Sequence, residues 1–155
     1  MVQQHAARTL HFDFRLELDG VLVSWAVPKG PSLAPKVRRL AVRVGDHELS
    51  HADFEGVLPN SAPGRGAVII WDRGTWEATG DARAGLARGK LAFTLAGEKL
   101  RGGWHLVRTQ PQGTQESWLW FKARDADADD AIDIVTAKPA SVISGKTLDE
   151  LYKSH

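Results

Sequence analysis

The chain has 155 residues, of which 43% are hydrophobic, and a formal net charge of +1 at pH 7. This composition predicts one ordinary domain that can bury a real core, and the absence of cysteine excludes disulfides and thiolate metal sites. No apolar run approaches the roughly 20 residues that span a bilayer, so we expect a cytoplasmic protein without a membrane partner.

The charges are distributed unevenly along the chain. Residues 1–123 hold 16 Lys and Arg against 12 Asp and Glu, whereas residues 124–155 hold 4 against 7. A mildly basic body with an acidic tail is compatible with a polyanionic partner, although a solvated mixed surface is the more common cause of such a balance.

The elements are predicted in chain order from the period of the apolar residues. Residues 10–20, with the sequence LHFDFRLELDG, alternate apolar and polar side chains and predict a strand with one apolar face. The proline-rich run 28–36 and the polar stretch 46–66 predict long connections. Further strands are predicted at residues 21–27, 38–44, 67–72, 73–80, 90–97, 99–108 and 117–123.

One short helix is predicted at residues 81–89, with Asp81 as its N-cap and Gly89 at its end. About eight short strands with one or two short helices predict a mostly β fold, a compact closed or nearly closed β-barrel over residues 1–123, since closure hides the strand edges. Residues 124–155 are predicted to form an acidic tail or linker. Its short C-terminal helix would be capped by Thr147, with Glu150 three residues later.

The first predicted strand gathers a group of polar side chains on one face. His11, Asp13 and Arg15 project together because alternate residues of a strand share a face, and His5 lies close enough in the chain to fold back beside them. Two imidazoles and a carboxylate suit a divalent ion such as Mn²⁺ or Zn²⁺, and an arginine fork suits a phosphate oxygen. An ordinary solvated strand face has the same spacing and is the alternative.

A second polar cluster follows at residues 45–51, with the sequence GDHELSH. His47 and His51 bracket a loop that could deliver a further imidazole to the same surface, as a phosphate donor or a proton carrier. The alternative is a surface turn with two unremarkable histidines.

Several segments of the sequence, in the same order, resemble one known family. They are residues 5–33, 38–42, 46–59 and 68–77, which include HAARTLHFDFRLELDG, RRLAV, DHELSHADFEGVLP and VIIWDRGTWE. They are similar to the 3′-phosphoesterase domain of bacterial DNA ligase D, the multidomain enzyme of nonhomologous end joining. The resemblance covers about residues 2–123. It implies a compact β-barrel with its active site in a groove on the outer surface.

The resemblance implies a role for each matching residue. His5, His11 and Asp13 match the family's Mn²⁺ ligands, with Zn²⁺ or Co²⁺ as alternative ions. Arg15 and His47 match the residues that hold the phosphate. The implied catalytic residues are therefore Arg15, His47, His11 and Asp13.

Four further residues are implied in phosphate or substrate binding. Gln3 falls at a position that supports the site from just before the first histidine. Lys29 and Arg39 match basic residues needed for processing the terminal phosphate. His51 occupies the position of a tyrosine that helps to bind phosphate.

The implied activity is removal of a 3′-terminal ribonucleotide from a DNA primer end and then of the remaining 3′-phosphate, during double-strand break repair. The implied partners are DNA or RNA-tipped DNA 3′ ends in a primer–template, together with the ligase and polymerase components of end joining. The implied location is the cytoplasm, in association with the nucleoid. The chemistry is coherent, because a metal polarises a phosphoryl oxygen while Arg and His stabilise the charge of the transition state.

Some positions depart from the family pattern, and the family's N-terminal arm has no counterpart before Met1. The departures are His51 for a Tyr, Thr9 for an Arg, Gly45 for a carboxylate and Ala62–Pro63 for a Glu-Tyr pair. The positions that match the metal ligands are intact, whereas the positions that match phosphate-binding residues are altered. We therefore expect metal binding, with weakened removal of the 3′-phosphate in the second step.

Two alternative functions stay open on the sequence. A catalytically weak module of the same fold could dock on nucleic acid or on a repair complex, which the altered phosphate positions favour and the intact ligand set opposes. An unrelated metal hydrolase of small phosphodiesters would be favoured if the chain did not bind primer–template DNA.

Overall fold

A computed structural model describes residues 1–59, 61, 65–111 and 113–154. It contains ten strands, three short α-helices and one 3₁₀ helix at Leu49–Asp53. The strands are β1 Val2–Ala6, β2 Leu10–Leu18, β3 Val21–Val27, β4 Arg39–His47, β5 Gly56–Val57, β6 Ala67–Asp72, β7 Gly74–Ala78, β8 Lys90–Gly97, β9 Arg101–Arg108 and β10 Ser117–Lys122. The α-helices are α1 Ala82–Arg88, α2 Ile134–Ala137 and α3 Leu148–Ser154.

The ten strands form one antiparallel sheet in the order β5-β6-β1-β2-β3-β4-β10-β9-β8-β7. The prediction of a mostly β domain with few helices is confirmed. Within the described ranges the end strands β5 and β7 are not paired with each other, so the predicted closure into a barrel is not confirmed. The strand count is ten rather than about eight because β1 and β5 were not predicted.

The core side of the sheet is filled by aromatic side chains. The Phe14 ring stacks on the Trp120 ring with the centroids 4.0 Å apart and an interplanar angle of 12°, and Trp120 in turn lies 5.2 Å from Trp104. Trp25 and Trp118 pack edge to face at 5.8 Å. These large rings bury the apolar face of each strand, so the polar face of β2 is left on the outside.

The carboxylate of Asp72, at the end of β6, joins the two ends of the sheet. Its oxygens accept the backbone N–H groups of Glu98, Lys99 and Leu100 at 2.9, 3.0 and 2.9 Å, all in the turn between β8 and β9. Gly97 is required beside it, because a Cβ there would lie 2.5 Å from an Asp72 oxygen. Side-chain hydrogen bonds thus link segments that the strand ladder leaves unpaired.

The predicted caps are confirmed. Asp81 accepts from the Ala84 N–H at the start of α1, and Gly89 ends that helix with a φ of 82°. At α3 the Thr147 hydroxyl and the Glu150 carboxylate each accept the other's backbone N–H, at 3.2 and 3.1 Å, which is the predicted capping box.

The tail contacts the sheet at several points. Ile134 is buried in the core, the Trp71 indole donates to the Lys138 carbonyl at 2.8 Å, and the Val142 N–H donates to the Ile70 carbonyl at 3.0 Å. In the ranges that the structure covers, no helix has the length and apolar character required to cross a bilayer.

Candidate functional site

The site is built on the outer face of the hairpin formed by β1 and β2. The register places His5 directly opposite His11, and Gln3 opposite Asp13. Opposed residues of an antiparallel pair project on the same side, and the two imidazole centroids lie 5.1 Å apart. His5 therefore reaches the group from a strand of its own, which the sequence VQQHA did not reveal because it lacks a clear alternation.

The ligand atoms of His5, His11 and Asp13 all lie within 4.8 Å of one another. One Asp13 oxygen is 3.2 Å from Nε2 of His11, and the other is 3.9 Å from Nδ1 of His5. Atoms bound at about 2.1 Å to one divalent ion are separated by roughly 3 to 3.5 Å, depending on the coordination geometry. The three predicted ligands therefore fit a common ion after small side-chain adjustments.

A hydrogen bond to Thr9 sets the tautomer of His11. The Nδ1 atom lies 3.1 Å from the Thr9 carbonyl oxygen, and because a carbonyl can only accept, Nδ1 carries the proton. Nε2 faces Asp13, to which it donates when the ring is doubly protonated, and loss of that proton would leave its lone pair for a metal. A backbone carbonyl in this position is a common support for a ligating histidine.

The three ligands perturb one another's protonation. Burial alone would raise the pKa of Asp13, but the hydrogen bond from His11 and the nearby positive charges hold that pKa below its usual value. The same hydrogen bond raises the pKa of His11. Burial, followed by the charge of His11, lowers the pKa of His5. One carboxylate and one neutral imidazole are thus ready to bind a cation.

Arg15 lies beside the predicted metal ligands and is held in a fixed orientation. Its Nε donates to Oε1 of Gln3 at 2.9 Å, and its Nη1 donates to the Ser24 hydroxyl at 2.8 Å. Its Nη2 lies 3.6 Å from an Asp13 oxygen. The residue is 5% exposed, and burial lowers its pKa. Ser24 was not predicted, although a serine inside the apolar run VLVSWAV was a signal for it.

His47 lies on the side of the site where phosphate binding is predicted. Its Nδ1 lies 3.1 Å from Nη1 of Arg15, and because a guanidinium only donates, Nδ1 accepts and Nε2 carries the ring proton. Burial and then the charge of Arg15 lower the pKa of His47, so the neutral ring with an Nε2 donor is favoured. The His51 ring packs edge to face against it at 4.9 Å.

Gln3 connects the arginine to the 3₁₀ helix. Its side-chain amide donates to the carbonyl oxygens of His51 and Phe54 at 3.1 and 3.0 Å, while its Oε1 accepts from Arg15. Both N–H groups of this amide, which is 2% exposed, therefore donate, and its oxygen accepts one hydrogen bond. The supporting role of Gln3 stays a prediction.

A cavity of about 600 Å³ opens over these residues. One wall is polar and holds the three predicted metal ligands together with Gln3, Arg15, His47 and His51. The other wall is apolar and includes Val44, Phe54, Leu58 and Val68. The sequence offered no specific signal for this apolar wall.

Two predicted phosphate-binding residues lie elsewhere. Neither Lys29, which is exposed in the loop after β3, nor Arg39, which faces Trp120 across the ladder, is among the residues that line the cavity. Their role stays a prediction. Ala62 and Pro63, the altered family positions, lie outside the described residues.

Comparisons with known proteins match the family that the sequence motifs resemble. The family model for the DNA Ligase D 3′-phosphoesterase domain matches residues 3–108. The chain is 55% identical over 149 residues to a multifunctional non-homologous end joining protein LigD of Pseudomonas aeruginosa, which covers 95% of this chain and 18% of that protein. It is 45% identical over 125 residues to a multifunctional non-homologous end joining DNA repair protein LigD of Mycobacterium tuberculosis, covering 81% and 16%. The chain therefore spans less than a fifth of either relative.

Proposed function

The chain belongs to the DNA ligase D 3′-phosphoesterase family, and from that premise we propose that its outer-face site is a metal-dependent phosphoesterase that heals the 3′ ends of DNA. The proposed substrate is a primer end in double-strand break repair. The proposed reaction removes a 3′-terminal ribonucleotide and then the 3′-phosphate that is left.

We assign the metal to His5, His11 and Asp13, with Mn²⁺ as the proposed ion and Zn²⁺ or Co²⁺ as alternatives. Two imidazole nitrogens and a carboxylate suit borderline divalent ions, and the fixed Nδ1 proton of His11 leaves Nε2 as its ligand atom. When bound, such an ion supplies Lewis-acid polarisation of a phosphoryl oxygen.

Arg15 and His47 bind and orient the phosphate in this proposal. The Nη2 atom of Arg15 faces the metal side of the cavity, 3.6 Å from Asp13, and the Nε2–H of His47 is the donor left by its bond to Arg15. Donors that are held before the reaction stabilise the negative charge that develops on the phosphoryl oxygens. Gln3 and Ser24 keep the guanidinium in place, so little reorganisation is needed.

The observation that carries the proposal is the buried Arg15 between Asp13 and His47. An arginine at 5% exposure that bonds a candidate metal site on one side and an imidazole on the other is costly to build as ordinary surface. A phosphate bound to the metal would lie within reach of both cationic and neutral donors.

The second step is proposed to be the slower one. A 3′-phosphate monoester carries more negative charge than a diester, so its hydrolysis depends more on additional donors. His51 stands at the tyrosine position and packs on His47, which changes the donor set on that side. Lys29 and Arg39 lie outside the cavity, and we propose that they contact the nucleic acid beyond its terminal phosphate.

The proposed function is tested with a DNA primer–template whose primer ends in one ribonucleotide. The expected result is loss of the terminal nucleoside with Mn²⁺ and no reaction with a chelator, with the 3′-phosphate product appearing before the 3′-hydroxyl product. A primer that stays uncut at saturating Mn²⁺, Zn²⁺ and Co²⁺ would exclude the phosphoesterase. Binding of that uncut primer would then favour the alternative, a docking module with weak or no catalysis, which the histidine at position 51 also favours.

A further inference from the structure

The outer face of β9 and β10 carries a pair of stacked rings that the phosphoesterase site does not use. His105 and Phe121 are partners across the ladder, and their ring centroids lie 5.2 Å apart at an interplanar angle of 30°. Their chain neighbours Trp104 and Trp120 are buried in the core, so the alternation of a strand places the pair on the outside. Both residues of the pair are half-buried.

A guanidinium extends this ring pair. The Arg38 Cζ atom lies 4.4 Å from the centroid of the Phe121 ring, within the range of a cation–π contact. Arg38 is itself exposed, so its planar group continues the stack toward solvent. The result is a half-recessed surface of planar groups with a positive edge.

Two cavities meet at the same ring pair, and their rims are basic. One cavity of about 420 Å³ and another of about 410 Å³ are both lined by His105 and Phe121. We call the two together the His105–Phe121 groove. Its exposed cations are Lys36, Arg38 and Arg124 in the first cavity and Arg88 and Lys90 in the second.

These cations are not neutralised by neighbouring acids. Within the described part of the chain, the ion pairs closer than 4.0 Å include none of the five. Two acidic groups beside the groove have other partners: Asp125, which follows Arg124 in the chain, accepts from Lys122 at 2.6 Å, and Asp81, which lines the second cavity, caps α1. Burial, and then the charges of Lys122, Arg38 and Lys90, lower the pKa of His105, which agrees with an excess of positive charge here.

We propose that the His105–Phe121 groove binds single-stranded nucleic acid. Unpaired cations along a groove attract the phosphates, and partly exposed planar groups, here the His105 ring and the Arg38 guanidinium over Phe121, accept unpaired bases, which is how single strands are bound without sequence preference. A base inside a duplex cannot stack on a recessed ring, so a duplex uses only the cations. An acidic peptide would use only the cations as well.

The groove lies away from the metal ligands. Strands β3 and β4 separate β2 from β10, and neighbouring strands are about 4.8 Å apart, so the ring pair lies on the order of 15–20 Å from Asp13 across the sheet. A nucleic-acid strand bound in the groove would therefore contact it several nucleotides away from the 3′ end that is processed at the metal ligands. This placement rests on the proposed function, whereas binding by the groove does not.

The test measures fluorescence anisotropy of a labelled thymidine oligonucleotide of about 12 nucleotides, within the usual range for single-strand sites. Its 3′ end is blocked by an inverted nucleotide, and a chelator is present, so the metal-ligand cavity does not contribute. The variants are the double change Arg38→Ala/Arg124→Ala and the single change Phe121→Leu. The matched control is Lys146→Ala/Lys153→Ala, which removes two exposed charges from the tail.

The double change should reduce the slope of log affinity against log salt by about 1.4, since each phosphate contact on a single strand contributes about 0.7. Phe121→Leu should weaken binding by about fivefold or more with the slope unchanged, because it removes the ring on which Arg38 and His105 stack and no charge. The control should change neither. Equal losses in the control and the double change would overturn the proposal, as would equal or tighter binding of duplex DNA or of an acidic peptide.

A second readout separates this inference from the proposed function. Hydrolysis of bis(p-nitrophenyl) phosphate with Mn²⁺ needs only the metal-ligand cavity and should be the same in all four proteins. If no protein cleaves this ester or the primer but the oligonucleotide pattern holds, the proposed function fails alone. If cleavage is normal and all variants bind the oligonucleotide like the parent, the groove proposal fails alone.

Discussion

The Nε–H of Arg15 donates to Oε1 of Gln3 at 2.9 Å across the first two strands. The same glutamine donates through its amide to the carbonyls of His51 and Phe54. One buried side chain therefore connects the proposed phosphate-binding arginine to the 3₁₀ helix that supports His51. Because Gln3 is only 2% exposed and its amide is bonded to these groups, we expect it to position Arg15 and the 3₁₀ helix.

Gln3→Ala is expected to reduce kcat/KM while leaving Mn²⁺ affinity unchanged. The change leaves the Arg15 Nε–H and two carbonyls without partners, and a loss of about 1–3 kcal/mol is usual for one such buried group. Primer cleavage and Mn²⁺ titration followed by electron paramagnetic resonance give the two quantities. Gln3→Glu is the control, because it keeps an acceptor for Arg15 and should recover part of the rate. Equal loss of metal affinity would contradict a positioning role.

The sequence predicted the polar face of β2 well and its surroundings poorly. The alternation LHFDFRLEL determines which side chains face outward, because the apolar residues between them fill the core. No local pattern could place His5 on its own strand or Gln3 beneath Arg15, since those contacts depend on the pairing of β1 with β2. The apolar wall with Phe54 comes from a loop whose course is fixed by long-range contacts.

Binding of Mn²⁺ should become tighter as the pH rises and should release a proton. The hydrogen bond to Asp13 raises the pKa of His11, so the metal must displace a proton from that imidazole over a wider pH range than usual. Without metal, the folding stability has the opposite pH dependence. The stability that the His11–Asp13 hydrogen bond contributes is fully present below the pKa of about 6.5 that His11 has in the unfolded chain. It is lost as the pH rises through the raised pKa of His11 in the folded protein.

Calorimetric titration in buffers of different ionisation enthalpy counts the released proton. His11→Ala should abolish binding with the fold intact, because His11 is on the outer face and is not one of the buried residues that form the hydrophobic core. His51→Ala is the matched control and should bind normally. An affinity that is constant between about pH 6 and pH 8 would contradict the assignment of His11 as a ligand.

His47→Ala and Arg15→Lys should each lose on the order of 2–4 kcal/mol of transition-state stabilisation, the usual value for one positioned donor. Lysine is the better change at position 15, because it keeps the charge and removes the fork that bonds Gln3 and Ser24. Single-turnover cleavage of the primer measures the loss. Near-normal rates in either variant, at metal saturation, would remove that residue from the proposed phosphate contacts.

His51→Tyr should speed the removal of the 3′-phosphate more than the removal of the terminal ribonucleoside. A phenol hydroxyl reaches further than an imidazole and offers a donor to the more highly charged monoester. The two steps are followed on one gel from the same primer, with His51→Phe as the control that lacks the hydroxyl. If the parent converts the 3′-phosphate as fast as it forms, the position does not limit the second step.

The three proposed metal ligands all lie on the β1–β2 hairpin, between residues 5 and 13. Arg15, by contrast, depends on Ser24 of β3 and His47 of β4. A hairpin forms in about 1–10 μs, whereas partners that are distant in the chain assemble later. During synthesis and folding the chain should therefore be able to capture its metal before it can orient a phosphate, so an incompletely folded molecule would hold the ion without cutting nucleic acid.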